Sequence, residues 1–165
     1  MLNLPGYTLR RPVRATDANM LFLAVREADG APVIIKTPAG PFAGPREEER
    51  YRREHGILQR LLGVRGVTRP QGCERVNGRP VLVLEEVQGV ALSEAVGRPF
   101  EPARFLELAV ALASTLAEIH LRGVIHKDIK PSNIIVTPTG EPRIIDFGAA
   151  TLQRTEHVDA APSHL

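Results

Sequence analysis

The stretch "GVIHKDIKPSNIIV", Gly123 to Val136, decides how this chain is read. Between two short apolar runs it sets His126, Asp128, Lys130 and Asn133 at fixed offsets, with Lys127 beside the acid. Four chemically distinct residues in the pattern H-x-D-x-K-x-x-N, ahead of a strand, are more than a solvated loop requires. Lysine is also scarce: of 21 basic residues only Lys36, Lys127 and Lys130 are lysines, and the rest are arginines. An ammonium is a compact, strongly hydrated point charge, whereas a guanidinium is a planar fork. A lysine retained in an arginine-rich chain points to a position that needs the compact charge.

Outward from this stretch the flanks read as regular structure. Downstream, "IIVTPTGEPRIID" is predicted to form two short strands around a Pro-Thr-Gly turn, delivering "DFG" at Asp146–Gly148. Upstream, Glu101 to Arg122 is predicted as the longest helix. Phe105, Leu108, Ala109, Leu112, Leu116 and Ile119 mark one face, alanines on the other predict burial nearly all round, and Gly123 is the stop. Nearer the amino end, Tyr7–Ala15, Leu21–Glu27 and Pro32–Thr37 read as strands, the last apolar on both faces except at Lys36. Pro45 to Leu62 carries helix signals: proline at the start, acids in the first turn, Gly63 past the end. Its apolar residues Tyr51, Ile57, Leu58 and Leu61 share a face with Glu54, and an acid in an apolar stripe is costly unless paired. A weak hairpin at Asn77-Gly78 and the strand "VLVLEEV", Val81–Val87, follow. Strands with one helix, then a mostly helical part, predict an α+β fold in two lobes.

Composition sets the bounds. A length of 165 residues indicates one domain, or part of a larger one, and 43% hydrophobic with 24% charged residues is ordinary for a globular chain. A net charge of +2 gives no argument for nucleic acid or an acidic membrane surface. The single cysteine, Cys73, excludes an internal disulfide and suits a reducing compartment. The amino end lacks the apolar core of a signal peptide, and the longest uncharged apolar run, Leu108–Ala117, is too short to span a bilayer. The expectation is a cytoplasmic protein with neither nucleic acid nor membrane as partner. The histidines show no zinc-ligand spacing with Cys73.

Lys36 closing "VIIK", a helix glutamate at Glu54, the H-x-D-x-K-x-x-N loop and Asp-Phe-Gly together resemble the signature set of the eukaryotic-type Ser/Thr protein kinase superfamily. All three lysines fall inside these motifs. The resemblance implies a protein-kinase-like α+β fold, with a β-rich small lobe and hinge over residues 1–87. Residues 88–165 would be an incomplete large lobe ending in the activation segment. It implies an ATP- and Mg²⁺-dependent enzyme passing a γ-phosphoryl group to a protein hydroxyl in a signalling role. In kinases such residues act by positioning and charge stabilisation rather than by covalent chemistry. By resemblance, Lys36 would hold the α- and β-phosphates and pair with Glu54. Asp128 would orient the substrate hydroxyl and accept its proton, and Lys130 would neutralise the transferred group. Asn133 and Asp146 would hold Mg²⁺ through hard oxygen ligands. Leu84, Glu85, Glu86 and Val87 would form the hinge that meets adenine through backbone groups, and His126 would brace the loop by packing.

Two departures accompany the resemblance. The family's G-x-G-x-x-G-x-V loop would place glycines at positions 14, 16 and 19, where this chain has Arg14, Thr16 and Asn19. Amides there approach phosphate less freely, leaving Arg14 to offer a charge instead. Lys127 also stands where the family carries Arg, which removes the usual partner of an activating phosphate. Only 17 residues follow Gly148, without an A-P-E motif. In detail the chain resembles the amino-terminal kinase region of large bacterial signalling proteins that also carry an ATPase module, a GAF domain and a sensor histidine kinase. Those chains share a Gly-Tyr strand, a glycine-poor loop and "HKDI". The expectation is a truncated chain whose partners are a protein substrate and such downstream modules, with apolar surface of the Glu101–Arg122 helix exposed. Two alternatives stay open: a catalytically weak or inactive pseudokinase or regulatory module, and a small-molecule phosphotransferase of the aminoglycoside type, against which Lys130 and "DFG" argue.

Overall fold

A computed structural model of the chain describes residues 4–40, 44–95, 97 and 99–153. Its first half is an antiparallel sheet of β1 (Tyr7–Ala15), β2 (Asn19–Arg26), β3 (Pro32–Pro38), β4 (Pro70–Val76) and β5 (Arg79–Glu85), in the order β1-β2-β3-β5-β4. Helix α1 (Pro45–Arg60) lies between β3 and β4 in sequence and packs on β4 and β5. The helix begins without a side-chain cap at Gly44, with Pro45 in the first turn and Glu47 and Glu48 at the positive end of its dipole. The β4–β5 turn uses Asn77 and Gly78, at φ 50° and 79°, the left-handed pair that a tight antiparallel turn needs.

Alternation along the strands decides which residues meet the helix. Val33 and Ile35 of β3 join Val81 and Val83 of β5, Ala24 and Leu4 in a cluster on one face. Leu82, Leu84 and Ile34 belong to the other face, with Tyr51, Ile57, Leu58 and Leu61 of α1. Successive strand side chains point to opposite faces, so Lys36, in register with Leu82, emerges on the helix side. Glu54, buried on α1 between Tyr51 and Ile57, faces the same way.

The second half comprises β6 (Val90–Ala91), α2 (Leu92–Ala95), α3 (Pro102–Leu121), β7 (Val124–Ile125), a 3-10 turn at Pro131–Asn133, β8 (Ile134–Val136), β9 (Pro142–Ile144) and β10 (Thr151–Leu152). Small sheets β6-β8-β9 and β7-β10 flank α3. Glu101 caps α3 by accepting from the Arg104 backbone N–H at 2.9 Å. The expected burial all round α3 is not observed. Leu108, Thr115 and Ile119 are buried, whereas Phe105, Leu106, Val110 and Leu121 are exposed. Among the described residues, the strands at its inner side cover only one stripe of the helix. The expected exposure of apolar surface on this helix is what the structure has.

One core cluster runs through both halves, linking Leu82, Leu84 and α1 with Ile119, Val124, Ile144, Phe147 and Ala150. Arg143 of β9 reinforces the junction by pairing with Glu85 at the end of β5 and donating to the Val67 carbonyl at 2.7 Å. The result is the expected α+β architecture. Among the described residues no helix is long and apolar enough to cross a membrane. Of the stretch expected to open the activation segment, Thr151–Leu152 pairs with Val124–Ile125, and residues 154–165 lie outside the described part.

Candidate active site

Lys36 is the centre of the cleft. Its Nζ lies 2.8 and 2.9 Å from the two carboxylate oxygens of Glu54 and 2.8 Å from Asp146 Oδ1. Lys36 and Glu54 are 3% and 2% exposed, so this is a fully desolvated pair with a third, partly exposed acid attached. Burial alone would lower the lysine's pKa, but the charges of Glu54 and Asp146 outweigh it and raise the value. At Glu54 burial pushes the carboxyl upward against the pull of Lys36. Both Glu54 oxygens sit on a single ammonium, the geometry of an ionised pair. Asp146 is lowered, because Lys36 overcomes the effect of its burial.

Gly148 makes the close arrangement possible. A Cβ there would come within 3.3 Å of both Asp146 Oδ1 and Lys36 Nζ and 3.4 Å of Glu54 Oε2. Asp146 itself takes φ 62° and Lys127 takes φ 66°, left-handed conformations that lysine in particular adopts at a cost. Strain of this kind gathers at functional sites and persists where the surroundings over-determine it.

The quoted loop forms the opposite wall. Asn133, fully buried, donates from Nδ2 to Asp128 Oδ2 at 2.8 Å and to the Asp128 carbonyl at 3.0 Å. Lys130 Nζ lies 2.7 Å from the same Asp128 oxygen. That hydrogen bond, chiefly, holds the Asp128 carboxyl below the usual range, with Asn133 adding to it against a desolvation penalty. The Asn133 carbonyl accepts from the Ile145 N–H at 2.9 Å, which joins the loop to the approach of Asp146. His126 sits beneath: its Nδ1 accepts from the Asp128 backbone N–H, its Nε2 meets the Ile145 carbonyl, and its ring stands edge-on to Phe147.

At the far end of the cleft Leu84 is buried and β5 stops at Glu85. Glu85 is engaged away from the opening: its carboxylate accepts from the Arg69 N–H at 2.9 Å and pairs with Arg143. Glu86 accepts from the Gln88 side chain. The backbone N–H groups of Glu86 and Val87 have no hydrogen-bond partner among the described residues. Asp146 Oδ2 likewise has none, although the side chain is 36% exposed.

Lys36, Glu54 and Asp146 thus form one cluster, and Asp128, Lys130 and Asn133 another. The residue that reaches between the β-hairpin and the loop is Arg14, whose Nη1 donates to Asn133 Oδ1 at 3.4 Å. Its partner lies 119 positions away, and the sequence signal was only the missing glycine. Asn19, at another of those positions, accepts from Arg50 and from the Tyr51 hydroxyl of α1.

The protein kinase domain family matches residues 18–162 of the chain. Over 173 residues the chain is 30% identical to serine/threonine-protein kinase PknA of Mycobacterium tuberculosis, which covers 94% of this chain and 37% of that protein. It is 30% identical over 150 residues to a probable serine/threonine-protein kinase PknB of Corynebacterium glutamicum, covering 87% of this chain and 23% of the other. A putative cyclin-dependent kinase F-2 of Oryza sativa is 35% identical over 142 residues, 79% of this chain and 43% of that one. The chain therefore spans less than half the length of each of these relatives. With the family match extending from the β1–β2 turn past the Asp-Phe-Gly stretch, this chain belongs to the protein kinase family.

Proposed function

We propose that the chain binds ATP with Mg²⁺ and transfers the γ-phosphoryl group to a Ser or Thr hydroxyl of a protein. The observation that carries this reading is the ammonium of Lys36 held 2.8 Å from both Glu54 and Asp146. Two carboxylates fix its protonation and its position, so a cation stands ready for phosphate without reorganisation. Asp128 would orient the acceptor hydroxyl and take its proton as the new bond forms. Lys130, hydrogen-bonded to Asp128, would bring positive charge to the group in transit. Leu84 to Val87 would serve as the hinge, an assignment supported by the unpaired N–H groups of Glu86 and Val87.

Asn133 Oδ1 and the Asp146 carboxylate are hard oxygen donors of the kind Mg²⁺ prefers, and the unbonded Oδ2 of Asp146 fits such a cation. Bound there, Mg²⁺ would neutralise phosphate charge. Residues 1–87 would act as small lobe and hinge, and 88–165 as the start of the large lobe. A cytoplasmic signalling role, with ATPase, GAF and histidine kinase modules as downstream partners, rests on the resemblance carried by the Gly-Tyr strand and "HKDI".

A non-catalytic nucleotide-binding module is the second reading, favoured by a β1–β2 hairpin without glycine. Phosphotransfer from ATP to a protein acceptor, measured for the chain and for Asp128→Asn, separates the two. Transfer that disappears in the variant supports the enzyme. Absence of transfer from both, with MgATP binding retained, supports the module.

A further inference from the structure

We propose that Arg14 is a phosphate ligand of the nucleotide site, its guanidinium taking over the task that backbone amides of a glycine loop perform. The inference rests on the nucleotide-binding reading above and adds a residue to it.

The hairpin cannot offer its backbone in the usual way. It closes through Thr16 and Asn19: the Thr16 N–H donates to the Asn19 carbonyl at 2.9 Å, and the Asn19 N–H to Thr16 Oγ1 at 3.0 Å. No residue between 14 and 19 has a positive φ, so the turn presents no concavity of left-handed amides to an anion. Nor is it free to rearrange, because Asn19 Oδ1 holds Arg50 at 2.7 Å and the Tyr51 hydroxyl at 2.8 Å and fastens the turn to α1.

The side chain of Arg14 is directed into the cleft instead. The β1–β2 register shifts between Pro12 and Arg14, the kind of irregularity that re-aims a side chain. Arg14 then reaches Asn133 Oδ1 at 3.4 Å, so the guanidinium lies against the far wall of the cleft. That one contact, to a neutral carbonyl at 3.4 Å, engages a single donor of a group that carries five. No carboxylate lies within ion-pair distance of Arg14 among the described residues. An exposed guanidinium with donors to spare, facing a cleft that already holds a fixed ammonium, matches the forked geometry of phosphate oxygens.

The opposite role is a plug: an arginine covering Asn133 that must be displaced before MgATP enters. The two roles differ in the sign of one measurement. Calorimetric titration of the full chain with MgATP and with adenosine, for the unsubstituted protein, Arg14→Ala and Arg14→Lys, reads it directly. Arg14 is exposed, and a circular dichroism melt of each variant checks that the fold is kept. The expected result is MgATP affinity weakened on the order of tenfold in Arg14→Ala, adenosine affinity unchanged, and Arg14→Lys in between. Unchanged or tighter MgATP binding by Arg14→Ala overturns the proposal, as does an equal loss for adenosine, which would indicate a displaced hairpin. If the unsubstituted chain binds neither ligand, the nucleotide-binding reading itself fails. Binding by the unsubstituted chain that Arg14→Ala leaves intact removes only the role given to Arg14.

Discussion

At Lys36 one ammonium serves two acids, and that unequal sharing sets the cost of each substitution. Lys36→Met leaves Glu54, 2% exposed, without an ion-pair partner among the described residues. Breaking a desolvated pair in this way costs about 3–5 kcal/mol. Glu54→Gln leaves Lys36 with Asp146 at 2.8 Å and a hydrogen-bonding neighbour, so its cost is about 1–2 kcal/mol. Urea midpoints of the two variants should rank in that order, and a Glu54→Gln loss equal to the other would refute the shared-cation account. The double variant Lys36→Met/Glu54→Leu should recover part of the loss, since a well-packed apolar pair replaces a buried ionic one at little cost. At this scale the sequence was informative wherever chemistry needs fixed offsets. Asp128, Lys130 and Asn133 stand out because a loop of set geometry demands those types at that spacing. Glu54 stands out as an acid in an apolar stripe, a position that demands a partner. Gly148 and Arg14 could not be read the same way. The need for glycine at 148 arises from three charged groups meeting above it, and the reach of Arg14 arises from a shift in strand register.

For the elements, the hydrogen bonds of Asn19 tie the part of α1 next to Glu54 to the β1–β2 turn. Tyr51 is fully buried, and burial above all raises its hydroxyl pKa, so the group remains a donor and needs an acceptor. Asn19→Ala removes that acceptor and should cost about 1–3 kcal/mol, the penalty of a buried polar group left unpaired. Asn19→Asp keeps an oxygen in place and adds attraction for Arg50, so it should restore the loss. An unchanged denaturation midpoint for Asn19→Ala would remove this anchor from the account. Elements with strong local patterns were legible: β1 occupies Tyr7–Ala15 as read, and α1 begins at Pro45 as its helix signals require. β4 was seen only as a weak hairpin, because Pro70, Gly72, Glu74 and Arg75 carry no strand alternation and the strand is held by its register with β5. The two-residue strands β6, β7 and β10 have no local signature, since each exists only through a partner distant in sequence. On α3 the alanines and leucines indicated how apolar the helix is, but not how much of it neighbouring elements would cover.

Across the whole molecule, the sheet and the helical half share one core, and His126 lies where the loop wall that carries Asp128 meets it. The ring is 1% exposed and stands 4.5 Å from Phe147 in an edge-on contact. Both nitrogens are committed: Nδ1 accepts from the Asp128 N–H, so the proton belongs on Nε2, facing the Ile145 carbonyl at 3.2 Å. A second proton would set a donor against the Asp128 N–H. Burial lowers the pKa of His126, and the Ile145 carbonyl, Asp146 and Asp128 oppose this without reversing it, while Lys130 adds to the lowering. In the unfolded chain the group titrates near 6.5, so below that pH the unfolded state binds more protons than the folded one. The contribution to stability is complete above about pH 6.5 and declines as the pH falls from there toward the folded value. Urea midpoints measured from about pH 7.5 to about pH 5.5 should therefore drop with acidity, and the drop should be shallower in His126→Phe. That variant keeps a ring against Phe147 and loses both hydrogen bonds, so its midpoint is lower throughout; the slope is what tests the idea. Parallel slopes would show that His126 does not titrate against folding. A shallower slope in the variant would mean that the backbone under Asp128 is held by a neutral imidazole, and that acid loosens the Gly123–Val136 loop from the core side before Asp128 itself is protonated.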